Sequence, residues 1–322
     1  MRVIKKLDSI PFPDKKLVVA LGNFDGVHLG HQHLLSEMVK FSRQTKTIPA
    51  VFLFHPHPQK ILDPARAPKM LIDLNKKIEL LELLGIKVVF IIPFNHDFAI
   101  LSPEQFIKEI LIKKLKVLRI YVGFNYRFGR AGQGTPEMLS HYGKKFNFSV
   151  TVIPPITVEG TLVSSTTIRA ALEAGDITQA EQLLGYWPLL KGVIVQGNQR
   201  GRSLGFPTAN IDLPPDLIIP GDGVYAGQAY LEGKHYPAVL NIGYCPTFDE
   251  LNVKTIEAHL INYRGFAYGK AIEVELYQRL RAEQKFNKVQ DLVQQIKKDI
   301  QETAIICKKH GSSCTFLSKR QV

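Results

Sequence analysis

Cysteine residues and long apolar runs are scarce in this 322-residue sequence. Its three cysteines are too few for a closed disulfide framework, which favours a reducing compartment. The basic N-terminal segment is not followed by an apolar stretch of about 7–15 residues, so a secretory signal is not expected. The longest apolar run, residues 88–94, is far shorter than the ~20 residues that span a bilayer. We therefore expect a cytoplasmic protein that does not enter a membrane.

Acidic residues are also fewer than basic ones. The sequence has 29 Asp and Glu against 41 Lys and Arg, which gives a net charge of +12 and an isoelectric point near 9.5. This balance favours anionic partners: nucleic acid, phosphorylated small molecules or anionic lipid. A hydrophobic share of 45% and a charged share of 22% exclude a disordered or fibrous chain. At ~150 residues per domain, the length predicts about two domains.

The first part of the sequence alternates short apolar runs with amphipathic segments. The runs are rich in Val, Ile and Phe, as expected for strands that are buried on both faces. Helical signals lie between them, including an N-cap at Ser102 followed by Pro103 and a C-cap at Gly85. The alternation predicts an α/β domain with a Rossmann-like parallel sheet, which would bind ligands at the carboxyl ends of its strands. The predicted strands are residues 17–21, 50–54, 88–92, 120–122 and 150–153.

The second part of the sequence consists mainly of short strands separated by turn signals. This spacing predicts an antiparallel β-barrel, against which one helical segment, residues 288–306, would pack. The predicted barrel strands are residues 192–196, 224–231, 236–242, 255–261 and 271–277. The predicted division of the chain is a first domain of residues 1–186, a second of 187–306 and a disordered basic tail of 307–322.

A glycine-containing turn joins the first predicted strand to a helix. Gly22 and Gly26 would let the backbone approach a phosphate closely. His28 and His31 would share one face of the helix N-terminus, where backbone N–H groups already favour an anion. Two imidazoles there could stabilise the charge that develops on a leaving pyrophosphate. Zinc binding by the histidines is an alternative, although neither HExxH nor CxxC accompanies them.

Three further segments of the first part carry candidate binding residues. His57 lies in a proline-stiffened loop after the second predicted strand. Residues 123–129 interleave aromatic side chains with Arg127, a combination suited to a conjugated ring and a phosphate, or else to a strand end with core aromatics. Residues 164–169 gather hydroxyls at a helix start, which indicates either a phosphate clamp or an ordinary N-cap.

The second part opens with a glycine-rich basic segment, residues 197–211. It could hold phosphates, although it lacks the Walker A pattern, or it could be a basic surface loop. Thr208 and Asn210 offer oxygen ligands of the kind that Mg²⁺ accepts beside phosphate. Glu257 shares a strand face with His259 and is a candidate base for an attacking hydroxyl, or else part of a solvated face.

Together these motifs resemble those of the bacterial bifunctional riboflavin kinase/FAD synthetases. The resemblance extends from about residue 14 to about residue 303 and keeps the family's motif order and spacing. The motifs are GNFDGVHLGH (22–31), FHPHP (54–58), GFNYRFG (123–129), SSTTIR (164–169), GRSLGFPTANI (201–211), GVYAG (223–227), NIGYCPTF (241–248), IEAHL (256–260) and LRAEQKF (280–286).

The resemblance implies that the first domain is an FMN adenylyltransferase of the HIGH type, which makes FAD and pyrophosphate from FMN and ATP. No protein nucleophile is needed, so position and charge would provide the catalysis. His28 and His31 would stabilise charge. The ATP-binding residues would be Gly22, Asn23 and Asp25, with Ser164, Ser165, Thr166 and Arg169 on the phosphate tail. The flavin side would be formed by His57, Asn125 and Arg127.

For the second domain the resemblance implies a riboflavin kinase, which makes FMN from riboflavin and ATP with Mg²⁺. Glu257 would accept the proton of the riboflavin 5′-hydroxyl. Thr208 and Asn210 would hold Mg²⁺, and Arg281 would contact the flavin. The ATP-binding residues of this domain would be Gly201, Arg202 and Gly205.

Two other functions are open from the residues. The net charge and the HIGH-like motif favour a nucleic-acid-binding protein, but we find no recognised RNA-binding module. A flavin-binding regulator without catalysis is suggested by Asn125-Tyr126 and Met70-Leu71, where the family usually has GxDFRFG and a Leu-Thr pair. Cys307, His310 and Cys314 could suggest a metal site, but they lack a fourth ligand. We expect small-molecule partners (riboflavin, FMN and ATP) and neither nucleic acid nor membrane.

Overall fold

The structure is a computed structural model that describes residues 1–7, 16–197, 204–245 and 253–310. Its contacts divide the chain into two compact units. The first unit comprises Met1–Lys69 and Leu74–Val163, and the second comprises Met70–Asp73 and the chain from Ser164 onward. The predicted boundary between the two functional domains, at residues 186 and 187, stays a prediction. The structural division is based on contacts between segments, and those contacts do not report function. In packing, residues 164–186 belong with the second unit.

The first unit is built on a six-stranded sheet whose strand order is β1-β4-β3-β2-β5-β6. Every neighbouring pair is parallel, which confirms the predicted α/β fold. All five residues of β2 are buried, as are all five of β4, because helices cover a parallel sheet on both faces. The strands are β1 (Arg2–Ile4), β2 (Leu17–Leu21), β3 (Ile48–Phe54), β4 (Val88–Ile92), β5 (Val117–Gly123) and β6 (Ser149–Ile153).

Local sequence signals set the helix boundaries of this unit. The Ser102 hydroxyl accepts the Gln105 backbone N–H, and the Gln105 side chain accepts the Ser102 N–H, which completes a capping box. The helices are α1 (Leu29–Thr45), α2 (Pro58–Leu62), α3 (Leu74–Leu83), α4 (His96–Ile100), α5 (Pro103–Gln105), which continues as a π-helical segment (Phe106–Lys114), and α6 (Pro136–Phe146). A small hairpin of β7 (Thr157–Val158) and β8 (Thr161–Leu162) follows β6.

The strand order creates a topological switch point beside β2. The chain moves from β2 through β3 to β4 on one side of the sheet, then returns to place β5 and β6 on the other side. At such a point the connections leave the carboxyl ends of two adjacent strands in opposite directions and open a crevice between them. The loops after β2 and β5 therefore begin where this fold binds ligands.

The second unit contains a closed antiparallel barrel of six strands, in the order β10-β13-β12-β11-β14-β9. The barrel confirms the predicted fold of this part of the chain. The strand at residues 209–212 was not predicted, and β14 continues four residues beyond the predicted end, Tyr277, to include Arg281. The strands are β9 (Leu189–Val195), β10 (Ala209–Asp212), β11 (Gly223–Leu231), β12 (Lys234–Cys245), β13 (Val253–Leu260) and β14 (Ala271–Arg281).

Three helices complete the described part of the second unit: α7 (Ser165–Ala174), α8 (Ile177–Leu184) and α9 (Val289–His310). Helix α9 packs on the barrel, where the buried Cys307 thiol donates to the Gly227 carbonyl at 3.1 Å. The helix continues four residues past the predicted end at Ile306, so the start of the predicted tail is helical. Residues 311–322, including Cys314, lie outside the described residues.

Two negative findings concern the described residues only. Within residues 1–7, 16–197, 204–245 and 253–310, no helix is long and apolar enough to cross a membrane. Over the same residues, no cluster of three or more His, Cys, Asp or Glu side chains could hold a metal ion.

Candidate active sites

The loop after β2 turns sharply and is hydrogen-bonded to the neighbouring strand. The Gly22 N–H donates to the Phe52 carbonyl of the neighbouring strand at 3.3 Å. Phe24 is almost fully buried and has a φ of +50°, while Gly26 has a φ of +74°. A positive φ costs a glycine little, so Gly26 lets the chain turn sharply into α1. Asp25 is also buried, within this turn.

His28 and His31 meet at the start of α1. His28 is the N-cap residue, and its Nδ1 accepts the backbone N–H of His31 at 3.3 Å. Because Nδ1 is an acceptor, the proton of the neutral His28 ring lies on Nε2. The two rings stack with their centroids 3.6 Å apart. The sequence spacing therefore places both imidazoles together at a helix N-terminus.

The surroundings of His31 favour its neutral form. Burial lowers its pKa well below the usual value, and the neighbouring charges of His28 and Lys77 lower the pKa further. Its Nδ1 is buried and forms no hydrogen bond with any residue that the structure describes. A bound anion would offset the desolvation cost of a charged ring and could accept a hydrogen bond from it.

His57 lies beside the loop that follows β2. It is the N-cap of α2, and its Nδ1 accepts the Gln59 backbone N–H at 3.2 Å. Its Nε2 is 2.9 Å from the side-chain amide of Asn23. The structure therefore joins Asn23, predicted to bind ATP, to His57, predicted to bind flavin.

The loop after β5 contains both core and exposed residues. Phe128 is buried and stacks on Tyr126, with ring centroids 5.8 Å apart, so the core interpretation describes these two side chains. Asn125 and Arg127 are exposed, and Phe124 leaves 44% of its surface accessible. Polar and aromatic groups are thus available at the carboxyl end of β5, next to β2 in the sheet.

The sequence interpretation missed Lys77, on α3. Lys77 is buried, whereas its neighbour Ile78 is partly exposed. The Lys77 ammonium donates to the Asn23 backbone carbonyl at 2.9 Å. A signal was present: Lys77 lies four residues before the buried Leu81, so its side chain shares the inward face of the helix.

The segment Ser164–Arg169 starts helix α7 of the second unit, as the N-cap interpretation required. The Ser164 hydroxyl accepts the Thr167 backbone N–H at 3.1 Å and lies 2.8 Å from the Thr167 hydroxyl. Ser165 is the first helical residue, Thr166 is exposed and Arg169 is partly buried. The role of Ser164, Ser165, Thr166 and Arg169 in phosphate binding stays a prediction.

A polar row crosses three adjacent strands of the barrel. Asn210 on β10 and Asn241 on β12 are both register partners of Glu257 on β13, so the three side chains share one sheet face. Ile256 and Ala258 alternate with Glu257 and are buried, which places the row on the outside of the barrel. The Thr208 hydroxyl donates to a Glu257 carboxylate oxygen at 3.3 Å.

Glu283 extends this row through Asn241, and neither residue was among the predicted site residues. The Asn241 side-chain amide donates to the Glu283 carboxylate at 3.3 Å. A side-chain carbon on Gly243 would collide with that carboxylate, so the glycine leaves room for it. The alternation of β12 was a signal for Asn241, because it is polar and lies between the buried Leu240 and Ile242.

The remaining predicted residues of the kinase site have different surroundings. The Arg281 guanidinium binds the Asp299 carboxylate of α9 through Nε and Nη2, the shortest distance being 2.9 Å. Gly205 has a φ of +87° and open space where a side chain would be. Gly201 and Arg202 lie outside the described residues.

The oxygen atoms near Glu257 are chemically suited to Mg²⁺. Thr208 and Glu257 are close enough to hydrogen-bond, and Asn210 is the cross-strand neighbour of Glu257. Hydroxyl, amide and carboxylate oxygens are hard ligands, and Mg²⁺ in nucleotide sites takes few protein ligands alongside phosphate oxygens. The donor set therefore fits a nucleotide-bound magnesium ion.

The first unit places polar side chains at a switch point of a parallel sheet, and the barrel places a carboxylate among polar side chains. Both arrangements suit an enzyme that transfers phosphate-containing groups. Family models agree with this class: residues 11–167 match the FAD synthetase model, and residues 184–307 match the riboflavin kinase model. The chain belongs to the bifunctional riboflavin kinase/FMN adenylyltransferase family. The predicted family and the predicted enzyme class, a transferase, are confirmed.

Individual relatives are similar along most of their length. The bifunctional riboflavin kinase/FMN adenylyltransferase of Bacillus subtilis is 42% identical over 89% of this chain and 91% of its own. The protein of that description from Listeria monocytogenes is 38% identical over 90% and 92%. A solved Streptococcus pneumoniae structure, described as a macrolide-efflux protein, is 32% identical with a TM-score of 0.85 and covers 94% of this chain and 98% of its own.

Proposed function

We propose that the chain makes FAD from riboflavin in two steps: the barrel phosphorylates riboflavin to FMN, and the parallel-sheet unit adenylylates FMN to FAD. The observation that carries this proposal is that Asn23, His28, His31 and His57 lie together in the first compact unit and Thr208, Asn210 and Glu257 in the second, each group within the matching family region. We place the enzyme in the cytoplasm, in keeping with its few cysteines.

In the adenylylation step, a phosphate oxygen of FMN attacks the α-phosphorus of ATP. A new P–O bond forms as the bond to pyrophosphate breaks, so the leaving group gains negative charge. The Nε2–H of His28, the His31 ring and the first backbone N–H groups of α1 would stabilise that charge. Gly22, Asn23 and Asp25 would shape the ATP-binding turn.

The other residues of this step would position its two substrates. The phosphate end of FMN would be contacted by His57, Asn125 and Arg127. His57 is within hydrogen-bonding distance of Asn23 in the ATP-binding turn, and the other two side chains are exposed after β5. The family resemblance also assigns the phosphate tail of ATP to Ser164, Ser165, Thr166 and Arg169, whose hydroxyls and guanidinium are groups that bind phosphate.

In the phosphorylation step, Glu257 would accept the proton of the riboflavin 5′-hydroxyl as that oxygen attacks the γ-phosphorus and ADP leaves. The Thr208 hydroxyl, which donates to the Glu257 carboxylate, would hold the base in place. Thr208 and Asn210 would hold Mg²⁺, which neutralises phosphate charge when bound. Gly201, Arg202 and Gly205 would wrap ATP, and Arg281 would contact the flavin while Asp299 orients it.

A single time course tests both steps. The purified chain is incubated with riboflavin, ATP and Mg²⁺, and riboflavin, FMN and FAD are separated by chromatography. We expect FMN first and FAD after it. FMN without FAD would overturn the proposal for the first unit, and FAD formed only from added FMN would overturn it for the barrel. No product from either substrate would favour the flavin-binding regulator.

A further inference from the structure

We infer that Lys77 is a positioning residue of the adenylylation site, where it holds the loop after β2 through the Asn23 carbonyl and adds positive charge beside it. This inference rests on the proposed function of the first unit. It adds a residue to the site that the family motifs quoted above do not contain.

Burial is the first observation. Lys77 is 5% exposed, on a helix whose Leu80 and Leu81 are also buried. Moving an ammonium group out of water is costly unless it is compensated by hydrogen bonds or charge, and an apolar side chain would fill the same space without that cost. A role in packing alone therefore does not account for a lysine here.

The contact with Asn23 is the second observation. The Lys77 ammonium donates to the Asn23 carbonyl at 2.9 Å, while the Asn23 side chain contacts His57. Asn23 is thus held by α3 on its backbone and by the loop after β3 on its side chain. A loop fixed in this way needs little reordering when ATP binds, which favours both binding and reaction.

Charge is the third observation. Burial lowers the pKa of His31 most, and the positive charge of Lys77 on α3 is one of the neighbouring effects that lower it further. The Lys77 charge disfavours a second cation at His31, and it favours the binding of an anion near the two histidines. The phosphates of ATP have that charge.

The test uses the full chain with three substitutions. Lys77→Met removes the charge and the donor, Lys77→Arg keeps both, and Lys76→Met is the matched control. Lys76 is also buried, but its ammonium pairs with Glu79 of its own helix at 3.1 Å. For adenylylation of FMN, kcat and the KM for ATP are measured separately, and riboflavin phosphorylation by the same samples checks the second unit.

We expect Lys77→Met to lower kcat/KM for ATP about 10- to 100-fold, the loss typical of a hydrogen bond to a charged group. Lys77→Arg should recover part of this loss, and Lys76→Met should behave like the unaltered protein. Equal adenylylation by the two methionine variants would overturn the inference, as would an arginine variant no better than Lys77→Met.

Hydrogen exchange separates this inference from the proposed function. The backbone amides of residues 22–27 should exchange faster in Lys77→Met than in Lys76→Met, whether or not the chain makes FAD. Unchanged exchange would refute the positioning role. Absence of FAD from the unaltered protein, together with faster exchange in Lys77→Met, would refute the adenylylation proposal instead.

Discussion

The charge of His31 is set by the residues around it. Its ring stacks on His28, contacts Phe24 edge-on and is subject to the positive charge of Lys77. Burial is the largest effect that disfavours an added proton, and the neighbouring groups His28 and Lys77 add to it, so the folded protein lowers the pKa of His31 well below that of an exposed histidine. Neutral His31 is therefore the resting form near pH 7.

This pKa shift makes stability depend on pH in a defined direction. Below about pH 6.5 the unfolded chain protonates His31 while the folded chain does not, so unfolding takes up a proton. Stability should therefore rise with pH up to that value, by at most about 1.4 kcal/mol per pH unit from this residue. Chemical denaturation at several pH values, compared with His31→Gln, isolates the contribution. Parallel stability curves for the two proteins would contradict it.

Between elements, an ion pair joins the last barrel strand to the final helix. Asp299 on α9 has 4% of its side chain exposed, and Arg281 on β14 has 17%. Gln295 also donates to the Asp299 carboxylate, at 2.9 Å. The contacts hold the end of β14 against α9, so Arg281 has both a structural partner and a predicted contact with flavin.

Replacing only one residue of this ion pair should lower the stability of the fold. Asp299→Asn leaves the Arg281 charge partly buried without its counter-ion, and we expect a loss of about 3 kcal/mol in the free energy of unfolding. Urea denaturation measures it. The double variant Asp299→Asn/Arg281→Gln should lose less than the sum of the two single variants, because the second substitution removes the stranded charge. Strict additivity would show that the pair contributes no coupling.

At the scale of the whole chain, the central residues of the two proposed sites lie in different compact units. His28 and His31 belong to the parallel-sheet unit, whereas Thr208, Asn210 and Glu257 belong to the barrel unit. A substitution in one site therefore removes side chains that the other reaction does not use.

The two reactions should respond separately to substitution. His31→Ala should reduce FAD formation from FMN by about 10²–10³-fold, a typical loss when one stabilising donor is removed, and spare FMN formation. Glu257→Gln should slow riboflavin phosphorylation by about 10²–10⁴-fold and spare FAD formation from added FMN. Each variant is assayed for both reactions. Equal loss of both activities in a folded variant would contradict two separate sites.

Much of the fold follows from local sequence. Each predicted strand of the sheet is present, because short runs rich in Val, Ile and Phe between turn signals favour strands. Capping residues such as Ser102 and Ser164 mark helix starts through hydrogen bonds to residues three positions away. The strand β1 was missed because it has only three residues and no buried side chain.

The amino-acid sequence by itself determined the two folds, the family and the motif residues, since each depends on short-range periodicity or on fixed spacing along the chain. Tertiary structure decided which distant side chains meet. Lys77 reaches Asn23 across 54 positions, and Asn241 reaches Glu283 across 42. Packing likewise assigned residues 164–186 and Met70–Asp73 to the barrel unit. Such contacts depend on strand register and helix packing, which bring together residues that no local pattern connects.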